Sequence, residues 1–193
     1  MGDPVLHLLA GPNGAGKTTF HDRVLAPATG LPFINADHLA ARHWPGDEAA
    51  HGYDAAVLAA DQRRVLLDER RSFSTETVFS HISKVELVEY AQSLGYLVAL
   101  HVVMVPEELS VHRVPERVHN GGHHVPEHLV RARWHRLWPL VAEAITLADD
   151  AAVYDNSSAR EPFRRVASFW RGVPVGPVDW PRWTPVALVD LAR

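Results

Sequence analysis

A chain of 193 residues, 47% hydrophobic and 22% charged, is long enough for one α/β domain with a full core and too short for two of ordinary size. Its globular composition excludes disordered and collagen-like classes, and a net charge of −4 excludes a protein that coats nucleic acid through bulk positive charge. Cysteine is absent, which removes disulfides, thiolate metal sites and a cysteine nucleophile, and lysine occurs only at Lys17 and Lys84.

The first element is an apolar run over residues 5–10, stopped by Gly11, the pattern of a parallel strand buried on both faces. Helical sequence follows over about 16–26. Gly30, Leu31 and Pro32 turn the chain into a second short strand at 33–35, closed by Ala36 and Asp37. Residues 54–71 are rich in Ala and Leu without Gly or Pro, which predicts a helix, and 72–77 reads as a third strand. Ser83 with Glu86 matches a capping box and Gly95 suits a helix end, so a helix is expected over roughly 84–94. The longest apolar strand candidate is 96–105. Pro106 then fits the first turn of a helix ending near Asn120, Gly121 and Gly122. Pro126 opens another helix reaching about Leu147, and 151–154 is the last short strand. Four prolines between Gly172 and Pro185 predict an irregular C-terminal arm over 172–193, packed by Trp180 and Trp183.

Strands alternating with helices, without an internal repeat, predict an α/β fold: a doubly wound parallel sheet with helices on both faces, spanning residues 1–171. The apolar runs fall far short of the roughly 20 residues needed to span a bilayer, so no membrane association is expected. The start, Met1 to Val5, carries no basic segment; no signal peptide and a cytoplasmic location are therefore expected.

Gly11, Pro12, Asn13, Gly14, Ala15, Gly16, Lys17 and Thr18 match G-x-x-x-x-G-K-[ST] at every fixed position, and Thr19 follows. The glycines let backbone N–H groups turn inward on phosphate oxygens, and the following helix points its positive end at the same anion. Lys17 would reach the β- and γ-phosphates, and the Thr18 hydroxyl would ligate Mg²⁺. Four such positions arise by chance in roughly one chain of this length in a hundred. Here the match also follows a predicted strand and opens a predicted helix. ATP with Mg²⁺ is the expected ligand.

Neither lysine sits in a guanine-reading N-K-x-D motif, and the long strand ends Met104, Val105, Pro106 without a carboxylate. Those two features exclude GTPases and the common motor ATPases and leave small-molecule or nucleotide kinases. Such kinases need a base for the acceptor hydroxyl, a substrate pocket and arginines over the γ-phosphate. Asp37 lies at the carboxyl end of the second strand, where open α/β sheets bind ligands, and is the candidate base; its competing role is a helix N-cap. Glu76, at the end of the third strand, suits a substrate hydroxyl, the surroundings of Mg²⁺ or simple exposure. Asn35 and Thr77 flank these carboxylates as further substrate contacts.

Five arginines cluster at Arg113, Arg117, Arg131, Arg133 and Arg136, around the Gly121–Gly122 joint. Arginines on a hinged helical hairpin are the design of a lid over the transferring phosphoryl group, placed at about 110–136. His123, His124 and His128 lie in the same segment, but no carboxylate or thiolate at metal-ligand spacing completes a set.

Taken in order, the residue 10–19 loop, Phe33 to Asp37, Phe73 to Thr77, Glu116 to Pro126 and Tyr154 to Ser157 resemble the short bacterial members of the zeta toxin family, over roughly residues 5–158. That resemblance implies a P-loop kinase fold with a helical lid, ATP and Mg²⁺ as cofactors, and an antitoxin protein as partner. The activity it implies is γ-phosphate transfer to the 3′-hydroxyl of the amino sugar of UDP-N-acetylglucosamine. It further implies that Asp37 is the general base, that Lys17 and Thr18 serve the phosphates and Mg²⁺, and that Glu76 helps define the substrate site. Arg117 before the glycine pair, and Arg131 or Arg133 after it, are the implied lid arginines. Other hydroxyl acceptors, an antibiotic or a nucleic-acid 5′ end, remain open readings of the residues alone, with nucleic acid disfavoured by the charge, and so does a nucleotide-dependent binding partner in a toxin–antitoxin pair.

Overall fold

The computed structural model describes residues 2–118 and 125–193. Strand β1 (Val5–Ala10) runs through the middle of a seven-stranded sheet of order β2-β3-β1-β4-β5-β6-β7. Its neighbours β3 (Phe73–Thr77) and β4 (Leu97–Met104) are both parallel to it, with Ala10 level with Thr77 on one side and Val102 on the other. Short β2 (Phe33–Ile34) extends the parallel part beyond β3, and β5 (Asp150–Asp155) extends it beyond β4.

The two faces of the sheet separate by the period-2 rule of a strand. Leu6, Leu8 and Ala10 of β1 and Val98, Leu100, Val102 and Met104 of β4 point into the larger core. That core is covered by α4 (Gly52–Asp68), α5 (Ser83–Ser93) and the long α7 (Glu127–Leu147). Leu9 of β1, and Val103 and Val105 in and just beyond β4, face a smaller core with Phe20 and Leu25. The second face is covered by one helical run made of α1 (Lys17–Phe20), a π-helical turn (His21–Leu25) and α2 (Ala26–Thr29). Burial of each such Leu, Val or Phe is worth about 1.5–3 kcal/mol, so the apolar runs select this two-sided arrangement. The expected doubly wound sheet with helices on both faces is the architecture observed.

Three local expectations need correction. The segment after Asp37 is a helix, α3 (Ala36–His43), and its N-cap is Asn35, whose Oδ1 accepts from the N–H groups of Asp37 and His38 at 2.7 and 3.2 Å. The cap is therefore made two residues earlier in the backbone, and the Asp37 carboxylate is not used for it. Ser83 does not form a capping box with Glu86: Ile82 holds the cap position, and the Ser83 N–H donates to His81 Nδ1 at 3.2 Å. The other end of α5 follows expectation, because left-handed Gly95 lets the N–H of Gly95 reach Gln92 O and that of Tyr96 reach Ala91 O.

The third correction concerns the C-terminal stretch. The sheet continues past β5 with antiparallel β6 (Arg164–Trp170) and β7 (Val173–Pro174), joined through Arg171 and Gly172. Both joining residues have positive φ, 48° and 76°, as a tight two-residue hairpin requires. Beyond it, the one-turn α8 (Val186–Val189) buries Leu188 completely, with Trp180 and Trp183 packed on the same core. A helix α6 (Glu107–Val118) precedes α7, and the side chain of Trp134 on α7 donates to Val105 O at 3.0 Å, fixing α7 over the end of β4. Among the described residues, no helix is long and apolar enough to cross a membrane.

Candidate active site

The loop between β1 and α1 crosses the carboxyl end of the sheet so closely that its first glycine has no alternative. A Cβ at Gly11 would lie 2.1 Å from the carbonyl oxygen of Val103 on β4, at a φ of 149°. Gly16 ends the loop at φ 91°, where a Cβ would meet Asn156 Nδ2 at 2.7 Å. Within the loop the Ala15 N–H returns to Pro12 O at 3.2 Å, and Lys17, only 7% exposed, bends its ammonium back to the same oxygen at 3.1 Å. Three contacts from distant elements hold the loop from outside. Ser110 Oγ donates to Asn13 O at 2.5 Å, Asn156 Nδ2 to Ala15 O at 2.8 Å, and the Arg113 guanidinium to Gly14 O and Asn156 O at 3.4 and 3.1 Å. Several loop carbonyls are thereby turned outward, which leaves the amide side facing the concavity.

Two cavities open at this end of the sheet. One, of 580 Å³, is lined by Gly14, Gly16, Lys17, Thr18 and Thr19 of the loop and helix, with Arg23, Glu76, Arg113, Asn156, Pro162 and Phe163 around them. The other, of 440 Å³, is lined by Asn13, Lys17, Asp37, Glu76 and Thr77, by Arg63 of α4, Lys84 of α5 and Arg133 of α7, and by apolar and small residues between them. Lys17 and Glu76 line both, so the two spaces meet at the lysine and the carboxylate. At that junction Thr18 Oγ1 donates to Glu76 Oε2 at 2.8 Å.

A hydroxyl and a carboxylate in hydrogen-bond contact are hard oxygen donors of the kind Mg²⁺ takes. Among the described residues no cluster of three His, Cys, Asp or Glu side chains could hold a metal by itself. The donor set therefore fits a cation that arrives with phosphate oxygens and water rather than a resident one.

The positions of the candidate residues divide into three groups. Asn13, Gly14, Gly16, Lys17, Thr18, Thr19, Asp37, Glu76, Thr77 and Arg133 line one cavity or both. Gly11, Pro12 and Ala15 shape the loop backbone; Asn35, 2% exposed, lines neither space and serves as the α3 cap, with its Nδ2 lacking a hydrogen-bond partner among the described residues. Arg131 is bound instead to Glu108 at 2.6 Å, Glu127 at 2.9 Å and Glu107 at 3.3 Å, which ties α7 to α6. The side chain of Arg117 and the residues Gly121, Gly122, His123 and His124 lie outside the described residues.

Among the lining residues not singled out as site residues from sequence are Arg113, Asn156, Arg63 and Lys84. Arg113 belongs to the arginine cluster, and Asn156 to the Tyr154–Ser157 segment at the end of β5, so both carried a signal. Arg63 and Lys84 carried none beyond the rarity of lysine. Burial lowers the pKa of both, and for Lys84 the nearby Arg63 lowers it further.

The family model for zeta toxin matches residues 1–161. An uncharacterized protein of Haemophilus influenzae is 26% identical over 125 residues, which cover 64% of this chain and 88% of that one. A chain of the AvrRxo1-ORF1:-ORF2 complex, in a crystal structure with ATP, superposes at a TM-score of 0.71 and 18% identity, over 90% of this chain and 60% of its own length. A chain from the PezAT chromosomal toxin–antitoxin system of Streptococcus pneumoniae gives 0.64 and 18%, over 86% of this chain and 72% of its own. At these identities the two structures establish the shared fold.

Proposed function

Because this chain belongs to the zeta toxin family of P-loop kinases, we propose that it transfers the γ-phosphate of ATP to a hydroxyl group of a small molecule, most readily a nucleotide sugar such as UDP-N-acetylglucosamine. The observation that carries this reading is the pair of cavities that meet at Lys17 and Glu76, one lined by the phosphate loop and the other by Asp37. A donor in the first and an acceptor in the second would present the γ-phosphate and the hydroxyl to each other at the lysine.

The chain's own groups then divide the work. The Asp37 carboxylate, left unused by the α3 cap, takes the proton of the acceptor hydroxyl as the hydroxyl oxygen attacks the γ-phosphorus and the bond to the β–γ bridging oxygen breaks, releasing ADP. Lys17 moves its ammonium from Pro12 O to the phosphate oxygens and offsets the charge that spreads over them. The loop amides hold the β-phosphate, and Arg133 supplies positive charge from the acceptor side. Thr18 and Glu76 are the residues that would hold Mg²⁺ beside the phosphates, and the cation when bound supplies charge neutralisation. A protein partner of the antitoxin kind is part of the proposal, since PezAT is a toxin–antitoxin system; co-purification with the product of a neighbouring gene tests it.

Asp37→Asn keeps the shape of the side chain and removes its basicity. The expected result is a fall in kcat of about 10²–10⁴, with the affinity for ATP within about threefold of wild type. Equal loss of nucleotide affinity and turnover would make Asp37 a structural residue.

A further inference from the structure

The stretch that carries Asp37 has little regular structure of its own to hold it. Strand β2 is two residues long and lies at the edge of the sheet, and Asp37 follows only three positions after Ile34. Two buried polar side chains supply the hold that so short a strand lacks. Thr75 of β3, 1% exposed and level with Ile34 in the parallel register, donates from Oγ1 to Ile34 O at 2.8 Å. Asn35 then accepts at Oδ1 from the N–H groups of Asp37 and His38, while its own carbonyl oxygen accepts from the Leu39 N–H at 3.1 Å. Its backbone is extended, with φ −136° and ψ 123°, and Ala36 is the first helical residue. The chain thus turns from strand to helix at Asn35, and Asp37 leaves from the second position of α3.

The Nδ2 of Asn35 is buried without a hydrogen-bond partner among the described residues. A buried orphan donor opposes folding, and serine caps a helix as well without carrying one. Aspartate also caps as well, but it would set a second carboxylate two residues from Asp37, and like charges oppose each other's ionisation. Stability alone would therefore favour serine at this position; what asparagine adds is reach without charge. That matters because the Asp37 side chain is short, so its backbone decides where the carboxylate stands. A general base works only within hydrogen-bond reach of the proton it takes, and a misplacement of about 1 Å can cost about 100-fold in rate.

We infer that Asn35 and Thr75 are positioning residues for the transfer step, holding the backbone from which the Asp37 carboxylate reaches the acceptor hydroxyl. Neither side chain lines the phosphate-loop cavity or the Asp37 cavity, so both act through Asp37 rather than by touching a ligand. This deepens the kinase reading and rests on it for the role of Asp37 as base. It also turns Asn35 from a substrate contact into a brace: Thr75 fixes the end of β2, and Asn35 fixes the first turn of α3.

Double-mutant cycles test this directly. Transfer from γ-labelled ATP with Mg²⁺ is measured on whichever member of a panel of UDP-sugars, sugar phosphates and nucleosides wild type labels fastest. N35A and T75V are each expected to lower kcat by about 10–100-fold while the KM for ATP stays within about twofold of wild type. The conservative N35S keeps a neutral cap and should retain kcat within about threefold. Placed on D37N, N35A and T75V should lower the residual rate by no more than about twofold, because the group they position is gone. Amide hydrogen exchange at Asp37 and His38 should quicken in N35A and return toward wild type in N35S, which also reports that both variants are folded. T75V alone decides the coupling should N35A fail to fold. Losses of the same factor with and without the Asp37 carboxylate, or an unchanged kcat in both N35A and T75V, would overturn the inference and leave the kinase reading standing. No transfer by wild type to any member of the panel would refute the kinase reading and the inference with it.

Discussion

Gly11 shows how tightly the chemistry of single residues is set by the backbone around them. Its missing Cβ is what allows the loop to pass over the Val103 carbonyl, whereas Gly52 at the start of α4 has nothing within 4 Å and an ordinary φ. Gly11→Ala should therefore cost about 3 kcal/mol in denaturant unfolding and abolish nucleotide binding, while Gly52→Ala changes stability by under about 0.5 kcal/mol. The loop was legible in the sequence because every one of its constraints is local: glycines where the backbone turns, a lysine and a hydroxyl at fixed offsets, a strand before and a helix after. Lys17 stood out further because the chain has only two lysines. Arg63 and Lys84 were not legible, since each is an ordinary polar residue on its own helix until the packing of α4 and α5 brings the two to one wall. Arg131 shows a different dependence on the fold. Spacing placed it in a lid cluster, but three glutamates on α6 and α7 compete for its guanidinium, and their proximity depends on how those helices fold back on each other.

Strands β1 and β4 carry, behind the phosphate loop, a pair of histidines whose packing has a thermodynamic consequence. His7 Nδ1 and His101 Nε2 lie 3.1 Å apart with their rings stacked, and Phe20 and Tyr154 pack against His101. Burial, and then the neighbouring His7, pull His101 from its ordinary value of 6.5 down to about 4; burial lowers His7 as well, opposed in part by Asp150. Between pH 6.5 and 4 the unfolded chain thus binds more protons at His101 than the folded one, so stability falls on acidification through this window and this contribution levels off below about pH 4. The loss from His101 amounts to roughly 3 kcal/mol. Urea unfolding at several pH values should show that slope in wild type and a shallower one in His101→Leu; parallel slopes would place the proton uptake elsewhere. At this scale the parallel strands and long helices followed from apolar runs and from glycine and proline punctuation. Strand β6 did not, because it opens with Arg164 and Arg165 and lies toward the sheet edge, where burial is partial and the apolar pattern short. Helix α3 was hidden for another reason: its cap is Asn35, inside what reads as the end of a strand.

At the scale of the whole molecule, the carboxyl ends of β1, β2 and β3 bring Lys17, Asp37 and Glu76 to one rim of the sheet, and the two cavities share that rim. Helices α4, α5 and α7 wall the Asp37 cavity, while β5 and the turn into β6 wall the phosphate-loop cavity with Asn156 and Phe163. The topology thus gives the proposed donor and acceptor separate cavities that meet at Lys17 and Glu76. The fold class and the phosphate half of this arrangement could be read from motifs; the acceptor half depends on long-range packing and emerges only from the fold. The most direct test is transfer of label from γ-labelled ATP in the presence of Mg²⁺ and a panel of UDP-sugars, sugar phosphates, nucleosides and neutral alcohols. The expected result is label on the hydroxyl of an organic acceptor, lost in Asp37→Asn. Label recovered only as inorganic phosphate, or transfer that survives in Asp37→Asn at the wild-type rate, would contradict it.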